Sequence, residues 1–177
     1  MGFGLLLWFA AVAAAQTSAR LAVITPALHQ YDGGPALPAR SWFHAGEHVF
    51  VTFQISGYKK GEEDQVKLSY TIDAADSTGR KLEPAHSGKV AVELAQEDKN
   101  WTPKIRHSVL VPPTAPSGAC LFFVRVRDEI AGVEASADIP FQVRGVDLEP
   151  AETLTVARVR FYRREEDSTP QIGRAHV

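Results

Sequence analysis

Apolar residues recur at every second position over most of this chain, and that period constrains the fold more than any other feature. In one clear example, Val66, Leu68, Tyr70 and Ile72 alternate with polar residues. Successive side chains of a β-strand point to opposite faces, so the pattern predicts a strand with one face in a core. Similar runs begin at Leu21, Val49, Val90, Ile105, Cys120 and Ala137. The spacing predicts an all-β, antiparallel sandwich of about seven strands.

Turn-forming residues lie between these apolar runs. Residues 57–61 separate the first two core strands, residues 76–79 follow the second, and residues 128–132 make a short hairpin loop before the last. Pro140 lies inside the last run. Because proline has no N–H to donate to a strand ladder, this strand is predicted to lie at a sheet edge or to bulge there.

The N-terminal residues have a different character from the rest of the chain. Residues 3–15 (FGLLLWFAAVAAA) carry no charge and end in small residues, and they are fewer than the ~20 that span a bilayer. Residues 13–15 fit the small-x-small rule for cleavage before Gln16. We therefore predict a signal peptide over residues 1–15 and an exported protein, periplasmic or secreted to the cell surface, with no membrane attachment after cleavage. No basic residue precedes the run, so an uncleaved N-terminal anchor is the alternative.

Composition also changes towards the C-terminus. The sandwich is predicted to span residues 20–145, and residues 146–153 (VDLEPAET) are interpreted as a linker. Residues 154–162 (LTVARVRFY) open a new extended run that is similar to the first strand, which predicts a second, truncated β domain over residues 154–171. The alternative is a C-terminal strand that packs on the first domain. Residues 172–177 (IGRAHV) match one reading frame of a common sequencing-library adapter, so we interpret them as an artefact.

Two short motifs resemble a known class of domain. Residues 43–47 (FHAGE), before a strand, are similar to the F-x-x-G-E/D start of bacterial exported and macroglobulin-type immunoglobulin-like domains. Residues 116–120 (PSGAC), followed by a strand and Asp128, are similar to the P-x-G-x-Y…v-x-D hairpin of the same domains, with Cys120 in place of the usual Tyr. The resemblance covers residues 43–145. It implies an immunoglobulin-like sandwich.

A third segment points to tandem domains of this kind. Residues 98–106 (DKNWTPKIR) resemble part of uncharacterised exported bacterial proteins that carry two such domains in tandem. The resemblance implies an exported scaffold or interaction protein, and it implies no reaction.

The chain lacks the sequence signatures of common active sites. It has no Gly-x-Ser-x-Gly elbow, no His-Glu-x-x-His motif and no glycine-rich phosphate loop. The lone Cys120 lies in an apolar strand pattern and is predicted to be a small buried side chain. His44 and His48 are separated by Gly46 rather than carried on a helix, so they do not form a two-histidine metal motif. We predict that the protein is not an enzyme and has no cofactor and no metal site.

The distribution of charge bears on two possible ligands, nucleic acid and calcium. The formal net charge of −2 does not favour nucleic acid. Residues 62–64 and 73–76 form acidic clusters at predicted strand ends, where loop carboxylates of sandwiches sometimes hold calcium. Their spacing matches no calcium loop, so we interpret them as solvated turns.

Aromatic residues supply the candidate contact surface. Trp42, Tyr58 and Trp101 are predicted to contact a protein partner or to stack on sugar rings. The alternative is that Trp42 and Trp101 cover the ends of the sandwich.

Three functions follow from these patterns. The first is an exported, non-catalytic module for protein interaction or for spacing neighbouring domains. The second is a carbohydrate-binding module, which requires the aromatic rings to be exposed and coplanar. The third is an accessory domain of a larger secreted enzyme. The fold hosts all three functions and does not choose among them.

Overall fold

The computed structural model describes residues 20–38, 41–98 and 100–145, and over these ranges the chain forms two β-sheets. The strands are β1 (Ala22–His29), β2 (Trp42–His44), β3 (His48–Ser56), β4 (Gln65–Asp76), β5 (His86–Glu93), β6 (Lys104–Leu110), β7 (Gly118–Asp128) and β8 (Val133–Arg144). One sheet has the order β1-β3-β6 and the other β2-β8-β7-β4-β5. The prediction of an all-β sandwich is confirmed. In the described ranges, no helix is long and apolar enough to span a bilayer.

The core lies between the two sheets and follows the alternation read from the sequence. In β3, Val49, Val51, Phe53 and Ile55 are buried while the residues between them face outwards or lie under a loop. The same parity buries Phe122 and its neighbours in β7. Complete burial of one such side chain stabilises a fold by about 1.5–3 kcal/mol. The largest fully buried side chains are Phe43, Phe53, Phe122, Phe141, Ile55, Leu68, Ile72, Val49, Val51, Val66, Val109 and Val111.

The strand count differs from the prediction by one. The described residues contain eight strands rather than about seven, and the additional strand is β2. Three residues are too few to establish a period, so alternation alone does not reveal this strand. β2 pairs in parallel with the end of β8, whereas all other described strand pairs are antiparallel.

Two strand edges are irregular. In β1 the pairing with β3 shifts between Ile24 and Ala27, where Thr25 has a φ of 48° and Pro26 follows. In the other sheet, Pro140 lies opposite Leu121 of β7, and β2 pairs only with residues 142–144 on the other side of β8. Pro140 therefore lies on an edge of the described sheet, as the sequence predicted.

A buried carboxylate organises the loops at one end of the sandwich. Asp128 is 1% exposed, and it ends β7. One carboxylate oxygen accepts hydrogen bonds from the N–H groups of Ile130 (2.9 Å) and Ala131 (3.0 Å), and the other accepts from the N–H of Lys59 (2.6 Å). The first two bonds close the β7–β8 hairpin, and the third ties it to the loop after β3. The aspartate of the second motif is thus a structural residue.

Candidate functional site on the five-stranded sheet

The position of β2 depends on one buried ring. Phe43 is 1% exposed, and its ring meets that of Phe141 edge-to-face at a centroid distance of 6.0 Å. Because side chains alternate along a strand, anchoring Phe43 in the core turns Trp42 and His44 outwards. Trp42 is 49% exposed.

The turn after β2 explains the first motif. Gly46 has a φ of +88°, a conformation that favours glycine, and its N–H donates to the carbonyl of Val111 at 2.9 Å. The Glu47 carboxylate accepts a hydrogen bond from the N–H of His44 at 2.8 Å. The motif therefore carries the chain from the five-stranded sheet to the three-stranded sheet.

The Trp42 ring lies against the guanidinium group of Arg144. The guanidinium carbon of Arg144 lies 5.2 Å from the centroid of the Trp42 ring, within the range of a cation–π interaction. The parallel register places Trp42 beside Gln142 and His44 beside Arg144. All four side chains are on the outer face of the sheet. The pair presents an indole ring whose orientation is restrained although it is open to water.

Apolar side chains continue across the outer face from Trp42. Leu121 is opposite Pro140, and Phe123, which is 42% exposed, is opposite Asp138. Residues two apart on a strand are about 6.6 Å from each other, so Leu121 and Phe123 are adjacent on this face. We define the Trp42 face as Trp42, Leu121, Phe123, Pro140, Gln142 and Arg144.

Charged groups border this face. Asp73 lies opposite Phe123 on β4, and one of its carboxylate oxygens is 2.6 Å from the ammonium nitrogen of Lys81. The other oxygen is buried and has no hydrogen-bond partner in the part of the chain that the structure describes. An apolar centre with a charged border is the usual composition of a protein-binding surface.

The other two aromatic candidates lie at the opposite end of the sandwich. The Tyr58 hydroxyl donates to the backbone carbonyl of Trp101, and both side chains are half-buried. Burial raises the pKa of the Tyr58 phenol. Between the turn after β2 and Tyr58 runs the whole of β3, nine residues or about 30 Å. The structure therefore brings Tyr58 and Trp101 together but does not place Trp42 with them, and the three rings are not one coplanar set.

A cleft of about 750 Å³ lies beside Tyr58. It is lined by the buried Asp128, by Lys59 and by exposed residues that include Glu134. The carboxylate oxygens of Asp128 already accept three backbone hydrogen bonds, so this group is not available as a base. Among the described residues that line the cleft there is no histidine, cysteine or serine.

The histidines are engaged in separate local contacts. His44 is paired with Glu47 at 3.3 Å. His86 stacks on His107 at a centroid distance of 4.5 Å, and His107 lies 2.8 Å from Glu83. Across residues 20–38, 41–98 and 100–145, no group of three or more potential ligands is placed to hold a metal ion.

Cys120 is expected to react slowly with thiol reagents. Burial, with a smaller contribution from the Asp76 carboxylate, raises the pKa of its thiol to about 11. At pH 8 about one thiol in a thousand is then ionised, and the thiolate is the reactive form. Labelling by a maleimide at pH 8 should be at least about 100-fold slower in the native protein than in urea. Rapid stoichiometric labelling of the native protein would contradict this.

Comparisons with known proteins give no family. No family model and no curated protein matches the sequence. Among solved structures, the chain is similar to a family 123 glycoside hydrolase from Clostridium perfringens (12% identity, 59% of this chain, 23% of that chain, TM-score 0.43). It is also similar to the C-terminal domain of wzt (12% identity, 76% and 84%, TM-score 0.47). A third similarity is to the Pseudomonas fluorescens alkylpurine DNA glycosylase AlkC bound to DNA with an abasic site analogue (19% identity, 72% and 31%, TM-score 0.39). The matched part is less than a third of the hydrolase and of the glycosylase. Similarities of this size carry no functional argument.

Proposed function

We propose that this chain is an exported, non-catalytic module of the immunoglobulin-like type that binds a protein partner or a neighbouring domain through the Trp42 face. The strand order supports the topology. A sheet ordered β1-β3-β6 facing a sheet that contains β8-β7-β4-β5 corresponds to strands A-B-E and G-F-C-C′ of immunoglobulin-like sandwiches. Export rests on the predicted signal peptide, which lies outside the described residues.

The exposed Trp42 ring beneath Arg144 is the observation that carries the binding function. Tryptophan and arginine are the residue types most enriched at the energetic centres of protein interfaces. Here the two are paired in advance, because the core contact of Phe43 fixes β2 and the cation–π contact orients the indole. Preorganisation of this kind reduces the side-chain entropy that binding costs. The adjacent Leu121 and Phe123 extend the apolar area that a partner would cover.

The test is selection of peptide ligands from a phage-displayed random library by the protein. We expect the selected peptides to bind the Trp42→Ala variant at least about 30-fold more weakly, because the loss of an interface tryptophan costs about 2 kcal/mol or more. Tyr31→Ala is the matched control, since Tyr31 is also an exposed aromatic residue (59%) and lies outside this face. Selected peptides that bind both variants equally well would contradict the proposal.

The alternative of a carbohydrate-binding module makes a different prediction in a parallel experiment. On a glycan array, binding that depends on Trp42 would favour a sugar-stacking role for this ring over a protein contact. The third function is an accessory domain of a larger secreted enzyme. Such a domain could bind either a protein or a glycan, and the catalytic groups would lie in another domain of that enzyme.

A further inference from the structure

A loop folds back over the outer face of the three-stranded sheet and makes a concave site there. The His29 side chain at the end of β1 lies 2.7 Å from the carbonyl oxygen of Gly34 and 3.0 Å from that of Pro35. The N–H of Leu37 donates to the carbonyl of Leu28 at 2.8 Å. These contacts hold the loop against the sheet and leave a cavity of about 200 Å³ between them.

The floor of this cavity is a buried polar pair. His29 and Thr52 are only 7% and 8% exposed, and the His29 Nε2 atom is 2.9 Å from the Thr52 hydroxyl. Both neighbours of Nδ1 are carbonyl oxygens, which only accept, so Nδ1 carries the proton. In the neutral ring Nε2 therefore accepts from Thr52. The lone pairs of the Thr52 oxygen remain as acceptors in the cavity.

The walls add donors, acceptors and one aromatic ring. On β6, Ser108 lies opposite Phe50, and Arg106 lies opposite Thr52. Ser108, whose hydroxyl can both donate and accept, lines the cavity. The Arg106 guanidinium is 3.7 Å from the carboxylate of Asp32, and both are exposed. An exposed ion pair of this kind contributes little to stability, so both groups are free to turn towards a ligand.

This combination selects for a particular ligand chemistry. A pyranose ring has an apolar C–H face for an aromatic ring, and its hydroxyls both donate and accept hydrogen bonds. The cavity is slightly larger than the ~150 Å³ apolar cavity that accommodates benzene, so it holds one six-membered ring with substituents. The carboxylate of Asp32 beside Arg106 disfavours phosphate, and the polar floor disfavours an apolar ligand.

We infer that this cavity binds one neutral sugar residue of a glycan, with the ring against Phe50 and the hydroxyls on Thr52, Ser108, Arg106 and Asp32. The site is separate from the Trp42 face and goes beyond the function proposed above. It adds a small-molecule ligand to a module that contacts a partner with its other sheet.

The test is an NMR titration of the isotope-labelled protein with the methyl glycosides of glucose, galactose, mannose and N-acetylglucosamine, each to about 50 mM. At least one glycoside should shift the amide signals of Gly33, Phe50 and Ser108 with a dissociation constant on the order of 1 mM. Arg106→Ala, which removes an exposed side chain, should weaken binding by about 10-fold, and Thr52→Ser should retain it because the hydroxyl is kept.

Lys89→Ala is the control and should leave the titration unchanged, because Lys89 is an exposed residue of β5 on the other sheet. A complete absence of shifts with all four glycosides would overturn the inference. Shifts at other residues, or shifts unaffected by Arg106→Ala in a variant that melts like the wild type, would also overturn it.

Discussion

Asp128→Ala is expected to lower the free energy of unfolding by about 3–5 kcal/mol, the largest loss we predict for a polar residue of this protein. The change leaves the N–H groups of Lys59, Ile130 and Ala131 without their acceptor. A buried donor without a partner costs about 1–3 kcal/mol. Urea denaturation monitored by circular dichroism measures the loss.

Two further variants make this test specific. Asp128→Asn keeps one oxygen for Ile130 and Ala131 but sets an amide N–H against the N–H of Lys59, so its stability should lie between those of the wild type and the alanine variant. Asp138→Ala, an exposed aspartate of β8, should change stability by less than about 0.5 kcal/mol. A loss under about 1 kcal/mol for Asp128→Ala would show that the carboxylate does not organise the loops.

Phe43→Ala should destabilise the protein by a comparable amount, about 3–5 kcal/mol, because it removes a fully buried ring and leaves a cavity against Phe141. The effect should extend to Trp42. With its anchor gone, β2 loses the contact that sets the indole over the sheet, so peptides that depend on Trp42 should also bind more weakly. Denaturation and peptide binding on the same variant measure both effects.

Phe43→Leu is the matched control for this prediction. Leucine keeps an apolar side chain of similar size at the site, so the stability loss should fall below about 1.5 kcal/mol and peptide binding should persist. If Phe43→Ala unfolds at the same urea concentration as the wild type, β2 is not anchored by this ring.

Most of the fold was predictable because it depends on a local signal. A sandwich buries one face of each strand, so the period of two in β3, β4 and β7 specifies both the strands and the core. Turn residues gave the same information, and the absent N–H of Pro140 correctly placed it at an edge. What the sequence could not supply was β2, whose three residues depend on the pocket that receives Phe43.

The candidate site was predicted in part. Trp42 was one of three aromatic candidates for a contact surface, but its cation, Arg144, is 102 positions away and is brought near by a parallel pairing that no local pattern encodes. The proposed sugar site was likewise not predictable from local sequence patterns. His29 and Thr52 occupy outward positions that alternation assigns to water, and only the loop that returns over them makes them buried.

The irregular sheet edges at β1 and β8 affect the tendency of the protein to aggregate at high concentration. A straight outer strand offers a row of free N–H and C=O groups to which a strand of another molecule can add. Thr25 and Pro26 break that row in β1, and Pro140 removes a donor from it in β8. The addition of strands from other molecules is therefore obstructed on one edge of each sheet. Such edges protect a protein that folds among many copies of itself against fibrous aggregation.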